Sequence, residues 1–291
     1  MGNLLGAVDL GGTKIISGLF SPEGEILGPP VESPTDAHLS PEKVVENICV
    51  NFMETLKAFG EPIENVARVG IGVPTTIQYD KGLIDSSPNL PTMTDYPLSR
   101  VLAEKIGIPV NMEKDANCFV LGERVRGAAA GCLDCCGVTL GTGLGVGIVI
   151  GGKLLHGNDR CAGEIWKCPY EGEILENHVS GTALVKKYAQ ATGEKLRGEE
   201  IHQRAAQGDR IARELFAEMG LALGRGLSYL VNLLNPEVIV IGGSVARAWD
   251  LFAGPMKDVI HRHRIERNAT TVARSKLEHL APLYGAALLP G

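Results

Sequence analysis

No stretch of the 291-residue sequence sustains the roughly 18 apolar residues that a membrane-spanning helix needs, so no membrane partner is expected. Basic residues are not in surplus. The chain has 28 Lys and Arg against 34 Asp and Glu, a formal net charge of −6, and lacks the basic balance by which nucleic-acid partners are recognised. Disulfide spacing is missing as well: the seven cysteines are odd in number and irregularly placed, which fits a reducing, cytoplasmic address. The opening "MGNLLGAVDLGG" has no basic segment ahead of an apolar core, so it does not read as a secretory signal. Gly2 invites myristoylation, but Gly6 stands where Ser or Thr belongs.

Familiar phosphate motifs also fail. In "GTGLGVG", Val146 occupies the third glycine position of a dinucleotide fingerprint; in "GIVIGGK", Leu154 follows the lysine where a P-loop needs Ser or Thr for magnesium. "CLDCC", with Cys132, Cys135 and Cys136, has a metal-binding look, but Cys136 leads into the apolar "GVTL", and small buried thiols are common in such strands.

What is present is an alternation of strands and helices. "LLGAVDL" is a buried strand stopped by Gly11-Gly12, and "KIISGLF" resumes it, making Gly11–Thr13 a hairpin turn. "SPEKVVENICVNFMETLKAFG" is a helix with Ser40 as cap, Pro41 in its first turn, and Val44, Val45, Ile48, Cys49, Phe52, Met53 and Leu56 on one face. "VARVGIGVP" and "GIPVNME" are further strands, "GVTLGTGLGVGIVIGG" is two strands around a glycine turn, and a long amphipathic helix ends at Asn235-Pro236 before the strand "EVIVIGG". The pattern predicts α/β layers. "AVDLGGTKIISGLF" and "GVTLGTGLGVGIVI" share one plan, strand, Gly/Thr turn, strand. Glycine lets backbone N–H groups approach a phosphate and Thr adds a donor, so the repeat suggests a phosphate chain held between two related domains. Two ordinary hairpins would look the same.

"VDLGGTK", "KDANCFVLGE", "VTLGTGLGVGIVIGGKLLHG", "AGE", "LENHVSGTAL" and "VIVIGGSVA" occur in this order along the chain, and together they resemble the ROK family of bacterial sugar kinases and sugar-responsive repressors. The resemblance implies two related α/β domains of the actin/hexokinase (ribonuclease H-like) type with an interdomain cleft. Expected boundaries are 1–116, with the first phosphate loop and part of the sugar site, and 117–291, with the second loop and the sugar and adenosine sites. The last helix is expected to pack back on the first domain. Because the first strand begins near Met1, the repressor branch with its extra helix-turn-helix is not expected.

The same resemblance assigns roles. Asp115 is the catalytic base; as a bare sequence feature, a helix-capping Asp reads equally well. Asp9 lies near magnesium, through water if not directly. Gly11, Gly12 and Thr13, with Lys14, form the first phosphate loop; Gly141, Thr142 and Gly143 form the second; Gly242 and Gly243 lie against adenosine. Asn89, Asp115, Glu164 and Glu176 face the sugar, where carboxylates and amides fix several hydroxyls at once. Lys114 and Lys167 stand at sugar-side positions where the family carries other residues, Lys167 as a cation in place of the zinc and its His, although a solvated lysine reads equally well there.

This chain departs from the family pattern after Glu164. Members continue as E-x-G-H and then C-x-C-G-x-x-G-C, whose His and three Cys hold a structural zinc. Here Trp166 and Lys167 replace Gly-His, and only "CPYEGEIL", with the single Cys168, precedes Glu176. Zinc is therefore not expected, and packing of Trp166, Pro169 and Tyr170 is expected to order the loop. Lys114 stands where many members have Asn, and Thr75 replaces a Gly; Lys114 with "PNLP" is similar to the family's allose kinases. The expectation is an ATP- and magnesium-dependent kinase acting on a hexose, first the 6-hydroxyl of glucose, with allose or N-acetylmannosamine as alternatives and a turnover-free sugar sensor as a reading of another class. A cytoplasmic homodimer or homotetramer is the expected assembly.

Overall fold

In the computed structural model, residues 2–85 and 87–290 are described; Ser86 of "SSPNLP" lies outside them. The chain divides into two compact units, Met1–Gly127 with His156–Cys161 and His279–Gly291, and Ala128–Leu155 with Ala162–Glu278.

The first unit begins with β1 (Leu4–Leu10), β2 (Lys14–Phe20) and β3 (Val31–Pro34), followed by α1 (Pro41–Phe59) and β4 (Val66–Val73). A short hairpin, β5 (Ile77–Gln78) and β6 (Leu83–Ile84), leads to α2 (Leu98–Ile106), β7 (Val110–Lys114) and α3 (Asp115–Arg126). The sheet order is β3-β2-β1-β4-β7, antiparallel through β1 and parallel from β1 to β4 to β7. On α1, Pro41 sits in the first turn and Gly60 closes the end in the left-handed conformation, as expected for these residues. Its buried face carries Val44, Val45, Ile48, Phe52 and Leu56. Met53, expected on that face, is 47% exposed, and Cys49 is only partly buried. Asn51 and Thr55 are buried instead, because Ser17 Oγ pairs with Asn51 Oδ1 and with Thr55 Oγ1, each at 2.6 Å, which satisfies polar groups that would otherwise be costly inside. Ser40 occupies the cap position of α1 but its side chain makes no capping bond.

The second unit runs β8 (Cys135–Leu140), β9 (Leu144–Ile150), β10 (Lys153–Leu154), a small hairpin of β11 (Pro169–Tyr170) and β12 (Glu173–Ile174), then α4 (Glu176–Val179), α5 (Gly181–Thr192), α6 (Gly198–Ala206), α7 (Arg210–Leu234), β13 (Val238–Gly242), α8 (Trp249–His263) and β14 (Thr271–Arg274). Its sheet order, β10-β9-β8-β13-β14, repeats the first: an antiparallel hairpin pair leads into a parallel run from β8 to β13 to β14. The two stretches paired as a repeat in the sequence are the leading hairpins of the two sheets. The core joins Phe216, Leu223, Leu227 and Val231 of α7, Phe252 and Met256 of α8, and Ile239 and Ile241 of β13. Cys135 and Cys136 are buried in β8, Cys136 within the unit's core, where burial pushes its thiol up to about 12.

The last helix, α9 (Ala281–Ala287), packs on α3, β1 and β4 of the first unit, with Leu283 and Ala286 against Leu5, Ala7 and Cys118. The boundary expected at 116/117 falls in the first turn of α3. The structure draws it after Gly127 instead, because the packing of α3 against α9 and the sheet holds the whole helix in the first unit, and His156–Cys161 also returns there. Among the described residues no helix is long and apolar enough to cross a membrane.

Candidate active site

In the first unit the parallel strands deliver their residues to one edge. Asp9 is the penultimate residue of β1 and lies opposite Gly72 of β4; Lys114 ends β7 opposite Val73. Asp115 then opens α3, at the carboxyl end of a strand, where α/β folds bind ligands, and at a helix N-terminus, where the helix dipole favours a carboxylate. Asp115 occupies the first helical position rather than the cap, and its Oδ1 accepts the N–H of Ala116 at 2.7 Å. Asp9 is partly buried; that desolvation, reinforced by the charge of Asp115 and opposed by Lys14, raises its carboxyl from 3.8 to about 7.

The first glycine turn is braced from outside. Gly11 N–H donates to the Lys14 carbonyl at 2.9 Å, Thr35 N–H donates to the Thr13 carbonyl at 3.0 Å, and Thr35 Oγ1 donates to the Gly11 carbonyl at 2.6 Å. Gly12 lies against Asn89: a Cβ there would sit 2.9 Å from the Asn89 carbonyl oxygen. A residue assigned to phosphate and one assigned to sugar are thus neighbours. Asn89 N–H bonds Ser87 Oγ at 3.2 Å, and Ser87 donates to the Pro74 carbonyl at 2.9 Å; Thr75 donates to the Asp85 carbonyl at 3.3 Å. Lys14 is exposed and pairs with Glu32 at 2.8 Å. Lys114, which stands between Glu113 and Asp115 in the sequence, is 7% exposed.

Sequence reasoning missed Glu113, 4% exposed. It accepts from Tyr79 Oη, from the Lys114 N–H at 2.8 Å and from Asn117 Nδ2 at 2.9 Å, and it faces His156 Nε2 at 2.8 Å. Its one sequence signal is a carboxylate in a strand that must be buried, since ionised side chains are seldom buried without partners.

In the second unit the turn of Gly141, Thr142 and Gly143 joins β8 to β9. Gly181 N–H donates to the Gly141 carbonyl at 2.8 Å and Thr182 Oγ1 to the Thr142 carbonyl at 2.7 Å. Ser180 caps α5 by accepting the Ala183 N–H. Glu176 Oε2 accepts the Leu144 N–H at 2.8 Å. Gly242 ends β13 opposite Thr139 of β8. Gly243 follows at φ 87°, a conformation glycine adopts without steric cost, and a Cβ there would meet the Leu140 carbonyl at 2.3 Å. The structure therefore brings Gly141–Gly143, Glu176 and Gly242–Gly243 together.

Of the side chains expected to pack after Glu164, Trp166 and Tyr170 do so, whereas Pro169 is exposed. Trp166 Nε1 donates to Glu164 Oε2, and Ile165, Trp166 and Tyr170 pack against the unit's core. Tyr170 meets His178 edge-on at 4.7 Å; Arg225 Nη1 reaches the Tyr170 hydroxyl at 3.2 Å and Glu171 at 3.0 Å. Lys167 is exposed, its ammonium 5.4 Å from the Trp166 ring centroid, within cation–π range.

Two sheets of one order, each opened by a hairpin with a glycine turn and followed by strands whose carboxyl ends carry the polar residues, define an α/β protein of the actin/hexokinase type. The chain belongs to the ROK family, whose model matches residues 5–290. Thermotoga maritima glucokinase is 33% identical, with 96% of this chain and 95% of that protein covered. A ROK family glucokinase from Streptomyces griseus, solved in complex with glucose and AMPPNP, has a TM-score of 0.84 at 31% identity and covers 98% of each chain. A putative N-acetylmannosamine kinase from Listeria monocytogenes has a TM-score of 0.81 at 25% identity, covering 98% of this chain and 97% of that one.

Proposed function

We propose that this protein is an ATP-dependent hexose kinase that phosphorylates the 6-hydroxyl of glucose. The observation that carries the reading is Asp115 at the carboxyl end of β7, beside a second carboxylate, Asp9, whose pKa is raised to about 7. In this role Asp115 accepts the proton of the sugar hydroxyl as its oxygen attacks the γ-phosphorus and the bond to the ADP oxygen breaks. Gly11, Gly12 and Thr13, with Lys14, serve the phosphates from the first unit; Gly141, Thr142 and Gly143 serve them from the second, and Gly242 and Gly243 serve adenosine. Asn89 and Lys114 in the first unit, and Glu164, Lys167 and Glu176 in the second, serve the sugar.

Asp9 fits a magnesium ion on the chemistry of its surroundings. It is a desolvated carboxylate next to a second negative charge, and magnesium takes oxygen ligands, commonly one or two carboxylates with phosphates and water. Among the described residues no three His, Cys, Asp or Glu side chains form a cluster able to hold a metal. When bound, magnesium supplies charge neutralisation on the phosphates.

Glucokinase relatives support glucose. Lys114 and Thr75, with the likeness to a putative N-acetylmannosamine kinase, support another hexose as the second reading. A coupled ADP-release assay across glucose, allose, mannose and N-acetylmannosamine tests both. Sugar-dependent ADP release is expected, greatest with glucose. Calorimetric sugar binding without any ADP release would instead show a sensor. We expect a homodimer or homotetramer working in the cytoplasm, measurable by light scattering and by fractionation.

A further inference from the structure

Glu113 gathers four donors onto one buried carboxylate. On one side, Oε1 accepts the Lys114 N–H at 2.8 Å and Asn117 Nδ2 at 2.9 Å. Those partners lie one residue before Asp115 and two after it, so the carboxylate spans the strand-to-helix turn from which Asp115 projects. The same oxygen accepts Tyr79 Oη, and Oε2 faces His156 Nε2 at 2.8 Å. Burial, and then the neighbouring Glu113, push the Tyr79 phenol well above its usual range, so it keeps its proton and remains a donor. Around this pair, His156 meets the Tyr79 ring edge-on at 5.6 Å, and the Arg160 guanidinium lies 4.3 Å from its centroid. His156 and Arg160 belong to His156–Cys161, the short segment that packs in the first unit although the chain on both sides belongs to the second. Three residues beyond Cys161 the chain reaches Glu164.

We infer that Glu113 is a positioning residue for phosphoryl transfer: it fixes the turn that aims the Asp115 carboxylate and fastens the His156–Cys161 strap to the same point. The inference rests on the reading of Asp115 as the base. A carboxylate held on both sides allows the turn and the strap one mutual arrangement, and a base displaced by about an ångström loses on the order of a hundredfold in rate.

Length, not charge, is what this role requires, and two variants separate them. Glu113→Asp keeps the charge but is one methylene too short to serve both sides; its kcat should fall about tenfold to a hundredfold. Glu113→Gln keeps the length. Its carbonyl can hold the three donors on Oε1 while its amide faces His156, whose ring then accepts at Nε2 in the other tautomer, so kcat should stay within about threefold of wild type. Sugar Kd, measured by calorimetry without ATP, should change clearly less than kcat in Glu113→Asp, although Lys114 shares this turn, because ground-state contacts tolerate a displacement that the reacting geometry does not.

The reverse order, with Asp tolerated and Gln impaired, would overturn the inference in favour of charge. Parallel loss of kcat and sugar binding in Glu113→Asp would overturn it in favour of a merely structural role. If Glu113→Asp does not fold, Asn117→Ala removes one donor beside Asp115 and should lower kcat about fivefold at unchanged Kd; unchanged kcat would then overturn the inference. Asp115→Asn is run alongside. Retained turnover in that variant sinks the base assignment and this inference with it, whereas a dead Asp115→Asn beside a fully active Glu113→Asp sinks only this inference.

Discussion

Glu176 holds the second glycine turn: its Oε2 accepts the Leu144 N–H at 2.8 Å, and a Cβ on Gly143 would lie 2.4 Å from the same oxygen. A side chain assigned by resemblance to the sugar alone therefore also shapes the loop assigned to phosphate. A hydrogen bond to a charged acceptor contributes about 1.5–3 kcal/mol, so Glu176→Ala should raise the ATP KM about tenfold alongside the sugar KM. Steady-state kinetics with each substrate varied in turn checks this. A raised sugar KM with an untouched ATP KM would separate Glu176 from the loop.

Gly143 is small because Glu176 needs the space. Gly143→Ala should lower kcat/KM for ATP by about tenfold, and combining it with Glu176→Ala should cost clearly less than the product of the single losses, because neighbouring groups couple by roughly 0.5–3 kcal/mol. Strict additivity in the double-mutant cycle would show that the clash is relieved elsewhere.

Asp115→Asn preserves shape and removes the proposed proton acceptor. Turnover should fall by about two or more decades, the range that a general base contributes, while calorimetric sugar binding survives. Near-normal turnover would remove Asp115 from the chemistry.

Local features of this chain were legible in the sequence, and features made by distant partners were not. Both glycine hairpins were visible because apolar runs and Gly turns are local signals; they became β1–β2 and β8–β9, each pairing along its length. The inward face of α1 was misread at Met53 because Asn51 and Thr55 are buried through Ser17, 34 and 38 residues away. Glu113 was missed for the same reason: Tyr79 and His156 lie 34 and 43 residues from it. Asp115 and Asp9 were placed by motif resemblance, but the raised carboxyl of Asp9 arises from burial and from the charge of Asp115, which only the folded sheet brings near.

That raised carboxyl makes stability depend on pH. The Asp9 value rises from 3.8 to about 7 on folding. Between those values the folded chain holds a proton that the unfolded chain has lost, so stability falls as pH rises and the contribution is gone above about 7. Without nucleotide or magnesium, Asp9→Asn should therefore melt a few degrees above wild type at about pH 8, with the gap closing toward about pH 4. The same variant should need more magnesium for turnover, because the substitution removes the carboxylate proposed to hold it. A melting gap that is constant across this range would show that Asp9 is not the titrating group.

The segment from Ala162 to Gly181 should work without zinc. Cys168 is the one cysteine between Glu164 and Glu176, and a tetrahedral zinc site takes about four ligands. Side-chain contacts within the segment support that expectation: Trp166 and Tyr170 lie against the core, Tyr170 meets His178 edge-on, and Arg225 ties Tyr170 to Glu171. Purified protein is expected to carry far less than one zinc per chain by elemental analysis. Activity should return fully when magnesium alone is restored after chelation. Arg225→Ala should loosen this segment and raise the sugar KM several-fold, because a partly exposed charge-assisted contact is worth about 1 kcal/mol. Lys167, exposed over Trp166, should matter less: Lys167→Ala should raise the sugar KM about two- to fivefold with kcat nearly unchanged, the pattern of lost ground-state binding. Stoichiometric zinc together with unfolding on its removal would overturn the packing account. Unchanged sugar kinetics in Lys167→Ala would make that lysine a solvated surface charge.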